Sequence, residues 1–122
     1  MTLTEQLAVD PADPAPPYEQ VRRRLDALID SGALPVGERL PAVRQLAGDL
    51  GLAAGTVARA YRELEQAGLI ETRRGAGTRV AGGAQRRAGL LREEAAAYVE
   101  KARLLGFGTD ETIAAVAREL GA

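Results

Sequence analysis

The chain has 122 residues, a formal net charge of −1, and neither histidine nor cysteine. That length suits one small domain with an appendage. The missing residue types exclude the usual zinc sites, thiol chemistry, histidine acid–base catalysis and a disulfide framework, and no clustered acidic spacing favours a carboxylate metal site; no enzyme, metal or cofactor is expected.

The opening stretch "MTLTEQLAVDPADPAPP" is acidic and proline-rich, with no basic start and no long apolar run, so it is no secretory signal. Nothing in the chain is apolar for long enough to cross a bilayer, and a soluble, cytoplasmic protein is expected. Residues 1–16 read as an extended arm, in which Leu7 and Val9 alternate with polar neighbours as in a short edge strand. Pro17 suits the first turn of a helix, and Val21, Leu25, Leu28 and Ile29 make its apolar stripe. "SGALPVGERLP" breaks that period.

A second helix is expected from about Pro41 to Leu50, with Val43, Leu46, Ala47 and Leu50 inward and Gly51 at its end. A third runs from about Gly55 to Ala67, with Val57, Ala60, Tyr61 and Leu64 inward. Ala58, Arg59, Arg62 and Gln66 face another way, and Gly68 stops the helix. Tyr18 and Tyr61 read as packing residues. "LIETRRGAGTRV" then gives two short strands about a turn at Gly75–Ala76–Gly77. That turn lacks the third glycine and the following helix of a nucleotide-binding fingerprint.

Beyond Val80, "AGGAQ" reads as a hinge. From about Gln85 to Leu105 the chain is alanine-rich, and Ala88, Leu91, Ala95, Tyr98, Ala102 and Leu105 recur at spacings of three and four, a heptad-like seam. After "GFG", Thr109 can cap a last helix with inner residues Ile113, Val116, Ala117 and Leu120. These apolar faces are too large to leave in water and offer a dimer surface, although the tail could also pack on its own domain.

Ala47, Gly51 and Val57 have the order of a helix-turn-helix corner. A small residue lets two helices approach, a glycine takes positive φ, and a branched residue anchors the second helix. Holding these inward leaves Gly55, Thr56, Ala58, Arg59 and Arg62 free to enter a major groove, N-terminal end first. Taken alone, the corner is equally a helix end beside a solvated face. The ribbon that follows adds Arg73, Arg74 and Arg79 near a tight tip at Gly75, suited to phosphate or a minor groove. Charge is consistent but mild. Residues 1–16 carry three acids and no base, residues 17–80 carry 10 arginines against 8 acids, and residues 81–122 carry 6 of each sign. Together corner and ribbon make a mainly α fold with a small β-wing, a winged helix-turn-helix over 17–80 followed by a two-helix dimerisation tail over 81–122.

The stretch from Pro16 to Val80 resembles the winged-helix domain of the GntR family of bacterial transcription regulators. The landmarks are Gly32 to Pro41 in "GALPVGERLP", Arg44 to Ala47 in "RQLA", "TVARAY" at Thr56 to Tyr61, and "GLIETRRGAGTRV". The short tail and the "DPADPAPPYEQ" arm resemble the YtrA subfamily, whose members carry a small dimerisation tail in place of a large effector-binding domain. The resemblance implies that Arg44 contacts DNA, that Thr56 opens the recognition helix, and that Arg74 and Gly75 form the wing tip. Ala42 replaces a frequent serine, and Ala54 and Ala58 stand where relatives often carry polar readers, which shifts readout toward Arg59 and the wing. It further implies a homodimeric repressor of its own operon, often one with ABC-transporter genes, bound to double-stranded DNA at a palindromic operator. Leu91, Ala95, Tyr98, Ala102, Leu105, Ile113, Val116 and Leu120 are the expected dimer residues. The operator, the regulated genes and any small-molecule effector are left open. The alternative is a winged-helix module that binds protein without specific DNA binding; salt-dependent affinity for DNA separates the two, because phosphate contacts release counterions.

Overall fold

In a computed structural model, which describes residues 2–122, the elements run α1 (Leu3–Gln6), α2 (Pro17–Asp30), β1 (Arg39–Leu40), α3 (Val43–Leu50), α4 (Ala54–Gln66), β2 (Ile70–Arg73), β3 (Gly77–Val80), α5 (Gly83–Leu104) and α6 (Thr109–Leu120). They fall into two compact units, Met1–Leu90 and Leu91–Ala122, and the division lies inside α5.

The first unit is built on three helices. α2 starts on Pro17 and buries Val21, Leu25 and Ile29, as its stripe predicts. α3 ends at Gly51, whose φ of 68° is the left-handed conformation that glycine adopts without strain. The Leu52 N–H then donates to the Ala47 carbonyl (2.9 Å) and closes the corner. Ala47 and Val57 are both buried there, and Val57, Ala60, Tyr61 and Leu64 of α4 enter the same core as Leu46 and Leu25. The predicted corner is therefore the observed one.

The sheet has three antiparallel strands in the order β1–β3–β2, with Ile70 opposite Val80 and Arg73 opposite Gly77. β1 is absent from the sequence expectation. At two residues it is too short to show a period of two, and it exists because Arg39 and Leu40 pair with Arg79 and Thr78.

The N-terminal residues also differ from expectation. Leu3–Gln6 forms one helical turn with a reciprocal cap between Thr2 and Glu5, where an extended arm and an edge strand are predicted. Leu7 is wholly buried in the core of the winged unit. Gln20 holds the following residues down: its Nε2 donates to the Asp10 and Ala15 carbonyls (3.1 and 2.8 Å), and its Oε1 accepts from the Asp10 N–H (2.8 Å). This buried amide is fully satisfied by backbone, which is why a polar residue sits at 3% exposure on the inner face of α2.

In the second unit, the later turns of α5 meet α6 through a turn at Gly106 (φ 87°). The Tyr98 hydroxyl donates to the Thr112 carbonyl (2.8 Å), and Ala102 is buried. Thr109 is not the cap of α6. Gly108 holds that position, and its N–H donates to Glu111 Oε1 (3.3 Å). Nor are Ile113, Val116 and Leu120 inward within one chain: they are 62%, 41% and 78% exposed, and Leu91 and Leu105 are 73% and 66% exposed. Ala102 is the one buried hydrophobic among the described residues of this unit, and the large apolar side chains lie outside it. No helix among the described residues is long and apolar enough to cross a membrane.

Leu7→Ala should lower the unfolding free energy by about 2–5 kcal/mol, the cost of a fully buried leucine cavity. Urea unfolding measures it, and a change below about 1 kcal/mol would show that the N-terminal turn lies outside the cooperative core.

Candidate nucleic-acid interface

A helical repeat of 100° per residue puts Gly55, Arg59, Arg62 and Gln66 opposite the buried face of α4. α4 opens on Ala53, which supplies no side-chain cap, and its first turn contains no acid. α3 likewise opens on Ala42, with no side-chain cap and no acid in its first turn. An alanine cap costs about 1 kcal/mol relative to serine, threonine or aspartate. It also leaves backbone N–H groups and the positive end of the helix dipole open to an external anion. At Gly55 a Cβ would meet nothing within 4 Å, so the start of α4 faces open space.

The arginines divide by what already holds them. Arg44, Arg62 and Arg74 are exposed and form no ion pair among the described residues. Arg73 lies 3.4 Å from Glu71, and Arg79 donates to the Gly37 carbonyl (3.2 Å). Arg59 is the most tied. Its guanidinium stands 3.6 Å over the Tyr18 ring, and its Nε is 3.3 Å from Glu63, one helical turn on. Glu63 also meets Arg22 of α2 (3.5 Å). Arg59 reaches an outside partner only by giving up Tyr18 or Glu63. The sequence shows Glu63 four residues away, but nothing in it places Tyr18 against α4.

One basic residue escaped the sequence reading. Arg39 of β1 is exposed and lies beside the wing, its guanidinium within 3.2–3.5 Å of where a Gly77 Cβ would stand. With Gly77 and Thr78 it lines a groove of about 530 Å³ that reaches Ala42, Val43 and Gln45 at the start of α3. The pairing of β1 with β3 brings it there, so its position depends on the one strand that has no sequence signature. At the tip, the Ala76 N–H donates to the Arg73 carbonyl (2.9 Å) and Gly75 takes φ 80°, which exposes Arg74.

Tyr61 orients the helices that carry these groups. It is 6% exposed, and its hydroxyl donates to the Pro41 carbonyl (2.6 Å). α4 is thereby fastened to the segment that leads from β1 into α3.

Residues 17–80 match the family model described as bacterial regulatory proteins, gntR family. The chain is 53% identical over 78 residues to "HTH-type transcriptional regulator Rv1152" of Mycobacterium tuberculosis, a stretch covering 64% of each protein. It is 42% identical over 72 residues to "HTH-type transcriptional repressor YtrA" of Bacillus subtilis, covering 59% of this chain and 55% of the relative. The matched stretch thus spans rather less than two thirds of these relatives. Among solved structures, "YtrA from Sulfolobus acidocaldarius, a GntR-family transcription factor" superposes with a TM-score of 0.60 at 28% identity, over 75% of this chain and 96% of that one.

Burial pushes the Tyr61 phenol well above its ordinary value near 10. For a group whose folded pKa is raised, the stability it contributes is complete below the unfolded value and is lost as pH rises past it. Stability should therefore fall above about pH 10. Tyr61→Phe should flatten that fall, while costing about 1–3 kcal/mol at neutral pH because the Pro41 carbonyl loses its partner. Denaturant titrations across pH 7–11 check both, and an equally steep alkaline fall in the variant would contradict the assignment.

Proposed function

Because the chain belongs to the gntR family of bacterial regulatory proteins, we propose that it is a DNA-binding transcription regulator working as a homodimer. The observation that carries this reading is the outward face of α4, which has an uncapped, acid-free start and lies in a unit whose α3 and wing offer arginines with no ion pair among the described residues. In this reading the N-terminal end of α4 enters the major groove with Gly55 and Thr56 leading. Arg44 and Arg62 meet bases or phosphates, and Arg74, Gly75 and the neighbouring Arg73 approach the backbone or minor groove. Arg39 joins this set from the foot of the wing. Arg59 and Arg79, already engaged within the chain, act first as supports.

Residues 17–80 then form the DNA-binding part and residues 81–122 the dimerisation part. The exposed apolar residues Leu91, Leu105, Ile113, Val116 and Leu120 support pairing of two tails, with Ala95 and the half-exposed Tyr98 completing the surface; Ala102, expected there from the sequence, is buried within the single chain and is left out of it. A single winged helix has few contacts, and two of them read a palindromic site with greater affinity and selectivity. The Bacillus subtilis relative is named a repressor; the same role is proposed here, exercised on the chain's own operon.

Arg44→Ala, Arg62→Ala and Arg74→Ala should each weaken binding to a selected operator by about 1–3 kcal/mol, with thermal stability nearly unchanged. Where the lost contact is to phosphate, the salt slope should drop by about one unit. Fluorescence anisotropy at several salt concentrations measures this. Wild-type binding by all three variants would remove the proposed face.

Leu91→Ala with Leu105→Ala should shift the dimer strongly toward monomer, since each buried leucine is worth roughly 1.5–3 kcal/mol and symmetry doubles the loss. Sedimentation equilibrium decides it: a double mutant that stays dimeric moves the interface elsewhere.

A further inference from the structure

The second unit holds a cleft of about 510 Å³ between the later turns of α5 and α6. That volume lies within the range of small-molecule sites, about 300–1,000 Å³. Its walls are mostly apolar. Tyr98 and Leu105 of α5 line one side and Ala114 and Ala115 of α6 the other, with Phe107 at the turn between the helices. Phe107 is the one phenylalanine of the chain, and it is 50% exposed. Its backbone N–H donates to the Ala102 carbonyl (3.0 Å), which fixes the turn that carries it.

Charge in this cleft is unbalanced. Lys101 of α5 and Arg118 of α6 both line it, and neither forms an ion pair among the described residues. Glu111 is the one acid in the lining, and its Oε1 already accepts from the Gly108 N–H at the start of α6 (3.3 Å). The Tyr98 hydroxyl is engaged by the Thr112 carbonyl. The cleft therefore combines apolar walls with two cations, one from each helix.

α6 keeps this cleft apart from its exposed apolar ridge. At about 100° per residue, Glu111, Ala115 and Arg118 lie opposite Ile113, Val116 and Leu120. Tyr98 and Leu105 are shared with the surface proposed for pairing of two tails, whereas Ala115 and Arg118 are not. A second copy seated on the Ile113–Val116–Leu120 ridge leaves the α6 wall of the cleft open.

We infer that the cleft is a binding site for a small amphipathic carboxylate, with its apolar body against Leu105, Phe107 and Ala115 and its carboxylate between Lys101 and Arg118. This goes beyond the DNA-binding reading and does not depend on it. The apolar contact supplies most of the affinity. The cations sit at an open rim, where an ion pair is weak, so they contribute a preference among head groups. An uncharged molecule gains only the walls, and a cation meets two like charges.

The test titrates the full chain with hexanoate, hexanol and hexylammonium, which share an apolar body and differ in head group. Amide chemical shifts are followed at every residue. Hexanoate should give saturable shifts at Lys101, Leu105, Phe107, Ala115 and Arg118 in the millimolar range. It should bind about fivefold more tightly than hexanol, with hexylammonium weakest, as two part-exposed ion pairs allow. Lys101→Gln combined with Arg118→Gln should bring hexanoate down to the hexanol affinity and leave hexanol unchanged, a result that a merely structural role would not produce. Ala115→Leu, at an exposed helical position, should fill the cleft and abolish the shifts from both.

The absence of saturable shifts with hexanoate overturns the inference, and so does equal affinity for the three probes. Shifts confined to Ile113, Val116 and Leu120 also overturn it, because the probe then coats the ridge. Lining amides that move with protein concentration but not with hexanoate assign the cleft to a second copy and overturn it too. If Ala115→Leu does not fold, the double glutamine variant decides: an undiminished preference for hexanoate overturns the site.

Discussion

The hydrogen bond from the Tyr61 hydroxyl to the Pro41 carbonyl joins the three parts of the winged unit that must agree. Tyr61 belongs to the buried face of α4. Pro41 follows β1, which pairs with the wing, and precedes α3, which forms the corner. A rotation of α4 about its axis would break this bond and withdraw Val57, Ala60 and Leu64 from the core. The outward face of the helix is thus decided by its inward face. Gly51 makes the same constraint possible from the other side, since its left-handed φ lets α3 and α4 approach within a three-residue turn.

Overall charge contributes little to this arrangement, because the chain is nearly neutral. What matters is which cations are already neutralised. Glu63 holds Arg22 and Arg59, Glu71 holds Arg73, and Asp30 holds Arg86. Arg22–Glu63 joins α2 to α4 and Arg86–Asp30 joins α5 to α2, while Arg59–Glu63 lies within α4 and Arg73–Glu71 within β2. Most are partly exposed, so each is worth well under 1 kcal/mol in isolation. Arg39, Arg44, Arg62 and Arg74 form no ion pair among the described residues, and the uncapped starts of α3 and α4 add positive backbone ends without adding net charge. A neutral protein can in this way still present a locally cationic surface.

The helices α2 to α6 and the corner were legible because their signals are local, whereas the single turn of α1 was not. The stripe of α2, the glycine after α3 and the apolar spacing of α4 each lie within a dozen residues. The features that were not legible depend on partners far along the chain. β1 exists only through β3. Leu7 reads with Val9 as a short edge strand in an extended arm until the core receives it. Gln20 reads as a surface residue until the Asp10 and Ala15 backbone groups surround its amide. Arg59 has the helical position of a groove reader, and the placement of Tyr18 alters what it can do. Gly89 shows in the sequence only as a poor helix former. Its reason lies in the Ala67 carbonyl and the Gly68 nitrogen, about twenty residues earlier, which a Cβ there would strike.

The central claim is that the starts of α3 and α4 and the wing tip form one DNA-facing surface. Amide chemical-shift mapping during titration with a selected operator tests it most directly. The account predicts the largest shifts at Ala42–Gln45, Ala53–Thr56 and Arg73–Gly77, with little change along α6. Shifts concentrated in α6 and the exposed side of α5, with the α4 start unmoved, would contradict it.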